Sequence, residues 1–237
     1  MGTSTLLPGA RTMMDQQAAQ RLIGDRIREA GNPRMYPARS FLFHEYDESN
    51  SVIVVDSGLV RIDRTSMSGR VALLDLASSG RVIGELGVID DQPRSATAST
   101  INDTAVHHVT ASTFRQMMEE DSELQLALLS VVAERVRSLS TQFVETSLMD
   151  APARIAARLL RLVEIENALG HCRVEDDGTV DLRLPISQEE LGQWSGLSRE
   201  GAVKGLGTLR SIGLIETGRK RVKIHDLTGL ERHADAN

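Results

Sequence analysis

Gly84-Glu85-Leu86-Gly87 is followed six residues later by Pro93-Arg94-Ser95-Ala96. A buried phosphate needs a fixed cation and convergent donors. Arg94 supplies a planar fork, and Ser95 with nearby backbone N–H groups supplies shorter contacts. Glu85 can accept from a sugar hydroxyl, and the glycines let the backbone approach a ligand closely. These segments together fit a cleft for a sugar phosphate. On spacing alone, a surface turn closed by an Arg94–Glu85 ion pair fits equally well.

A second chemical signal lies near the C-terminus. Ser187-Gln188-Glu189-Glu190 has the form of a capping box, in which serine and a glutamate three residues on satisfy each other's backbone N–H groups. It opens a short helix with Leu191 and Trp194 on one face. Gly196 is placed for a turn, and Ser198 for the cap of a second helix carrying Val203, Leu206 and Leu209 as its apolar set. Helix, glycine-containing turn, helix is the arrangement that lays its second helix in a DNA major groove. Arg199, Glu200 and Lys204 fall on the outward side. Arginine pairs with guanine and glutamate accepts from cytosine N4. A helical hairpin without a DNA role explains the cap and the turn but not those three residues. Residues 214–224 read as a β-hairpin around Gly218, with Arg219, Lys220, Arg221 and Lys223 forming a basic wing for phosphates.

The charge distribution agrees. The 237-residue chain carries −6, all of it in residues 1–150, while residues 151–237 are neutral. Within 197–225, seven basic residues face two acidic ones, Glu200 and Glu216. Salt screens fields beyond about 10 Å, so this local excess attracts phosphates despite the acidic remainder. With 41% hydrophobic, 25% charged and only 3% aromatic residues, the chain reads as globular with an aliphatic core. One cysteine, Cys172, excludes an internal disulfide or an all-cysteine metal site, and suits a reducing cytoplasm. No stretch reaches the roughly 20 apolar residues of a membrane span. Residues 1–11 read as a disordered lead-in rather than a signal peptide. No nucleophile–base pair, metal-ligand spacing or GxxxxGK loop argues for an enzyme. His107 and His108, adjacent on a strand, point to opposite faces and make a poor metal site.

The elements that must position these residues follow from periodicity. Residues 15–30 show a weak helical pattern. From Pro33 to Val109, short runs rich in valine, isoleucine, leucine and threonine alternate with turn signals, as in a β-roll. Leu129, Val132, Val136, Leu139 and Phe143 then recur at spacings of 3, 4, 3 and 4, the seam of a coiled coil. One core-facing stripe of an ordinary helix is the rival reading. The absence of glycine and proline from 122 to 149, about 40 Å of helix, favours a dimer seam. Asp150-Ala151-Pro152 breaks the pattern and forms a hinge before the next helix.

Three segments, GELGVIDDQPRSATAS (84–99), DAPARIAARLL (150–160) and ISQEELGQWSGLSRE (186–200), resemble the CRP/FNR superfamily of bacterial transcription regulators. The likeness runs from about Pro33 to Ile224. The first segment is similar to the family's phosphate-binding cassette, the last to its DNA-reading motif. The resemblance implies an α+β chain in three parts. Residues 1–112 form an N-terminal helix and a cyclic-nucleotide-binding β-roll, 113–149 a long dimerisation helix, and 150–237 a winged helix-turn-helix. It implies that Glu85 holds a ribose hydroxyl, that Arg94 and Ser95 hold the cyclic phosphate, and that Gly84, Leu86 and Gly87 shape the cassette. Arg137 and Thr141 would reach the ligand from the long helix, and Gln142 stands where the family touches the base from the partner subunit. Arg199, Glu200 and Lys204 would face bases in palindromic sites with GTG-containing half-sites, and Ser187, Ser198, Arg219, Lys220 and Arg221 would lie on the duplex. The same resemblance implies cyclic AMP as effector, a homodimer, RNA polymerase as a partner, no metal, and a cytoplasmic location. A regulator of the same build whose roll answers another effector, or none, is the alternative. Tyr46 stands at a turn where the family commonly has glycine. Trp194 is larger than the usual residue there, and is expected to fill space left by the small Ala202 and Gly205.

Overall fold

The computed structural model describes residues 15–69, 71–170, 172–175 and 177–235. The expected disordered lead-in and Asp176 lie outside them. Helix α1 (Gln16–Ala30) buries Ala19, Ile23 and Ile27, one face at four-residue spacing. Eight strands follow: β1 (Asn32–Tyr36), β2 (Phe41–Phe43), β3 (Ser51–Ser57), β4 (Val60–Thr65), β5 (Val71–Ala77), β6 (Val82–Ile83), β7 (Thr97–Thr100) and β8 (Thr104–Thr110). They form two antiparallel sheets, β1-β8-β3-β6 and β2-β7-β4-β5. The short helix α2 (Glu85–Ile89) interrupts the roll between β6 and β7.

Strand β3 explains how the layers stack. Val52 to Val55 are all buried, so the strand does not alternate. Val52 and Val54 face α1, whereas Ile53 and Val55 face the roll interior with Val60, Ala98 and Val106. A strand covered on both sides is apolar throughout.

The segment 113–149, expected as one long helix, is divided. Helix α3 (Ala111–Glu120) is capped by Thr110, and Asp121 then adopts an extended backbone. Asp121 Oδ1 accepts from the N–H groups of Glu123 and Leu124, opening α4 (Ser122–Leu148). An aspartate cap of this kind restarts the helix rather than continuing it. The first turns of α4 bury Leu124, Ala127, Leu128 and Val131 against α1 and the roll. Of the expected seam, Leu129, Val136, Leu139 and Phe143 are between 58% and 72% exposed in the single chain, and Val132 is half-buried. They are therefore not a core stripe of their own chain.

Asp150 caps α5 (Ala151–Ala168), with Pro152 in its first turn. The C-terminal part adds β9 (Arg173–Val174), β10 (Val180–Arg183), α6 (Gln188–Trp194), α7 (Arg199–Ser211), β11 (Ile215–Gly218), β12 (Arg221–Ile224) and α8 (Leu227–Asp235). Its sheet runs β11-β12-β10-β9. Its core joins Ile155, Leu159, Leu162, Leu191, Trp194, Leu206 and Leu209, and continues onto Leu59, Leu73 and Leu76 of the roll.

Candidate functional site

Gly84 leaves β6 with a left-handed backbone (φ 79°) and delivers Glu85 to the start of α2. A Cβ on Gly84 would lie 2.3 Å from Arg94 Nη1, and one on Gly87 would lie 2.4 Å from the Gln92 carbonyl. Both positions therefore require glycine. Arg94 is 3% exposed. Its Nη1 donates to the Gly84 carbonyl at 2.7 Å, and its Nη2 to Ser51 O at 2.8 Å and Oγ at 3.1 Å. The guanidinium also stands 4.2 Å from the Phe43 ring centroid, a cation–π distance. Burial pushes the Arg94 guanidinium below its ordinary range, partly offset by the charges of Glu85 and Asp47. Leu86 is half-buried and Ser95 exposed beside this cage.

Glu85 is fully buried, and its ion partner is Arg135 of α4, not Arg94. Arg135 Nη1 lies 2.7 Å from Oε1 but off the hydrogen-bond direction, so neither carboxylate oxygen has a directed donor among the described residues. Arg94 Nε is likewise buried without an acceptor. Buried polar atoms normally find partners, so a carboxylate without a directed donor near a guanidinium whose Nε is unpaired suits a ligand that brings a hydroxyl and an anion. The surface-turn reading of these segments is thereby set aside.

The contacts expected from the long helix need correction. Arg135 also donates from Nη2 to the Val82 carbonyl at 2.9 Å, which turns its face of α4 to the cassette. At about 100° per residue, Arg137 lies some 200° and Thr141 some 240° around the helix from Arg135. Both are exposed, and Arg137 pairs with Glu134 on its own helix at 3.0 Å. Gln142 shares the Arg135 face but stands about 10 Å further along it. Sequence reasoning missed Arg135, although it continues the buried series Leu124, Leu128, Val131 at a four-residue step.

The helix-turn-helix is built as its caps dictate. Ser187 Oγ accepts from Glu190 N at 3.1 Å, and Glu190 Oε2 accepts from Ser187 N at 2.8 Å. Gly196 turns the chain with φ 66°, and Ser198 Oγ accepts from Gly201 N at 3.1 Å. Both serine hydroxyls are thus engaged in caps. Arg199, Glu200 and Lys204 are exposed on the outer side of α7. Val203, expected in the apolar set, is exposed with them, while Ala202, Gly205, Leu206 and Leu209 are buried. The expected exchange of volume with Trp194 also needs correction. A Cβ on Gly192 would lie 2.5 Å from that of Ala202, and one on Gly205 would lie 2.7 Å from Ile155 Cδ1. Close helix approach takes up that space.

Arg210 Nη1 donates to Thr217 Oγ1 at 3.1 Å, tying α7 to the wing. The wing turns at Arg219-Lys220, where Lys220 has φ 54°. Arg219 and Lys220 are exposed, but Arg221 is held bidentately by Asp181 at 2.5 and 2.6 Å. Two cations that composition did not single out join the domains. Arg61 of β4 bonds Asp63 at 2.7 Å and Glu190 of the capping box at 2.5 Å. Arg158, a charge inside the apolar stripe of α5, pairs with Glu145 of α4 and donates to the Trp194 carbonyl at 3.2 Å. That break in the stripe was the available signal. His107 and His108 take separate partners, Asp56 at 2.6 Å and Tyr36 at 3.2 Å.

A family model described as a cyclic nucleotide-binding domain matches residues 33–121, and one described as a Crp-like helix-turn-helix domain matches 153–233. The chain belongs to the CRP/FNR superfamily. It is 28% identical over 202 residues to a CRP-like cAMP-activated global transcriptional regulator of Mycobacterium tuberculosis, covering 85% of this chain and 88% of that one. It is 26% identical over 191 residues to the cAMP-activated global transcriptional regulator CRP of Haemophilus influenzae, covering 80% and 82%. A CRP/FNR-family transcriptional regulator of Thermus thermophilus shares the fold with a TM-score of 0.72 at 23% identity, over 86% of this chain and 98% of that one. The c-di-GMP-responsive global regulator CLP of Xanthomonas campestris shares it with a TM-score of 0.70 at 22% identity, over the same shares. As a member of this superfamily, the chain is a DNA-binding transcription regulator with a cyclic-nucleotide-binding domain.

Proposed function

We propose that the chain acts as a homodimer that binds a palindromic operator when cyclic AMP occupies the Glu85–Arg94 cage. The observation that carries this reading is the buried Glu85 carboxylate, which lacks a directed donor beside a desolvated arginine. A cyclic nucleotide supplies both missing partners, a ribose hydroxyl for Glu85 and an anionic phosphate for Arg94. Glu85 is joined to α4 through Arg135, so a ligand at the cage acts on the helix that carries the exposed apolar seam. Pairing two such seams removes a row of leucine, valine and phenylalanine from water, the ordinary driving force for a helical dimer. The hinge at Asp150 then sets the separation of two recognition helices, which must span one DNA turn, about 34–36 Å.

Cyclic AMP is the nucleotide named by the curated relatives, whereas a fold neighbour is named for cyclic di-GMP, so the effector is the part to test first. Selection of bound duplexes from random sequence, with and without cyclic AMP, reads operator, symmetry and ligand dependence together. The expected result is a palindrome enriched only with nucleotide. Equal enrichment without it moves gating to another effector, and no enrichment in either arm overturns the reading.

A further inference from the structure

Val203 has an exposure that packing does not explain. It is 58% exposed in the middle of α7, although Leu206 and Leu209 on the same helix are buried. The helix register is locked by small residues at closest approach. Ala202 meets α6 at Gly192, and a Cβ on Gly205 would strike Ile155 Cδ1 at 2.7 Å and the Ala151 backbone at 3.1 Å. Helix α7 therefore cannot roll to bury Val203 without opening both contacts. At about 100° per residue, Val203 lies between Arg199 and Glu200 around the helix, with Lys204 on the far side of Glu200. One turn on is Gly207, where an added Cβ would find only the end of Arg210, at 3.8 Å. A bare stretch of helix beside an exposed valine lets a base edge come close.

We propose that Val203 is a specificity-determining residue of the reader, packing its methyl groups on the C5-methyl of one thymine in each half-site. This rests on the DNA-binding reading given above. Thymine alone among the standard bases presents a methyl group in the major groove, and apolar side chains recognise it. Valine has no donor or acceptor, so a cytosine there sets its N4 amino group against hydrocarbon and loses the contact. The polar neighbours Arg199, Glu200 and Lys204 read the flanking pairs.

The test takes the operator recovered by selection and replaces its thymines by deoxyuridine, one symmetric pair at a time. Binding of the intact chain is followed by fluorescence anisotropy. Each buried methyl removed weakens binding about fourfold, so one position is expected to stand out at about fourfold per half-site. Val203→Ala should bind the thymine and deoxyuridine operators alike, and Val203→Ile should keep the discrimination. Wild type indifferent to every replacement, or Val203→Ala still discriminating at the same position, overturns the proposal while leaving DNA binding intact. A chain that binds no duplex overturns the DNA reading and this proposal with it.

Discussion

Arg135→Ala is expected to destabilise the protein through the carboxylate it leaves behind. Glu85 is fully buried, and Arg135 is its only ion partner among the described residues. Removing one member of a buried pair costs about 3–5 kcal/mol, chiefly because the remaining charge is uncompensated. Arg135 is itself 26% exposed, so water relieves part of that cost and the lower end applies. The lost bond to the Val82 carbonyl adds about 1 kcal/mol. A total of about 4 kcal/mol lowers Tm by about 8–16 °C for a chain of this length. Calorimetric melting of wild type, Arg135→Ala, Glu85→Gln and the double variant measures it. If the orphaned charge is the cause, the double variant regains at least about 1 kcal/mol over Arg135→Ala. A single variant within about 1 kcal/mol of wild type, or a double variant no better than the single, refutes the reasoning.

Gly84→Ala places a Cβ 2.3 Å from Arg94 Nη1 at a left-handed position, so cyclic AMP binding by titration calorimetry should weaken at least about tenfold; unchanged affinity contradicts the cage. Arg219→Ala and Lys220→Ala should each reduce the slope of log affinity against log salt by about 0.9. Arg221→Ala should do less, because Asp181 already neutralises it, and three equal slopes would count against the wing geometry. Burial, with Arg34 and Arg94 nearby, pushes the His108 imidazole down to about 4. The unfolded chain, at about 6.5, takes up the proton first, so stability is intact above pH 6.5 and falls progressively toward pH 4. His108→Gln should flatten that limb of the stability profile, and an unaltered limb excludes the histidine as its source.

Local chemistry was legible where one residue dictates one backbone event. The Ser187 and Ser198 caps, the helix break at Asp150-Ala151-Pro152 and the turn at Gly196 stand where residue type placed them. Tyr46 holds a left-handed backbone (φ 72°), as its place at a glycine turn implied. What was illegible depended on helix phase and on tertiary neighbours. Arg135 and Arg137 flank Val136, and the helix phase that turns Arg135 to the cassette shows in its contacts with Val82 and Glu85. Val203 looks like a core residue by type, yet Gly192, Ala202 and Gly205 set a register that excludes it. The break at Asp121 was missed because its cap falls inside a run without glycine or proline.

The central claim, that a nucleotide held by Arg94 changes how paired readers meet DNA, is tested most directly by one titration. Operator affinity of the intact protein is measured by anisotropy at fixed salt, with and without saturating cyclic AMP, for wild type and Arg94→Ala. A ligand shifts an equilibrium only by its difference in affinity for the two arrangements. The account predicts that wild type tightens at least about tenfold, whereas Arg94→Ala binds like ligand-free wild type in both arms. Equal operator affinity in both arms for wild type with nucleotide demonstrably bound would contradict it.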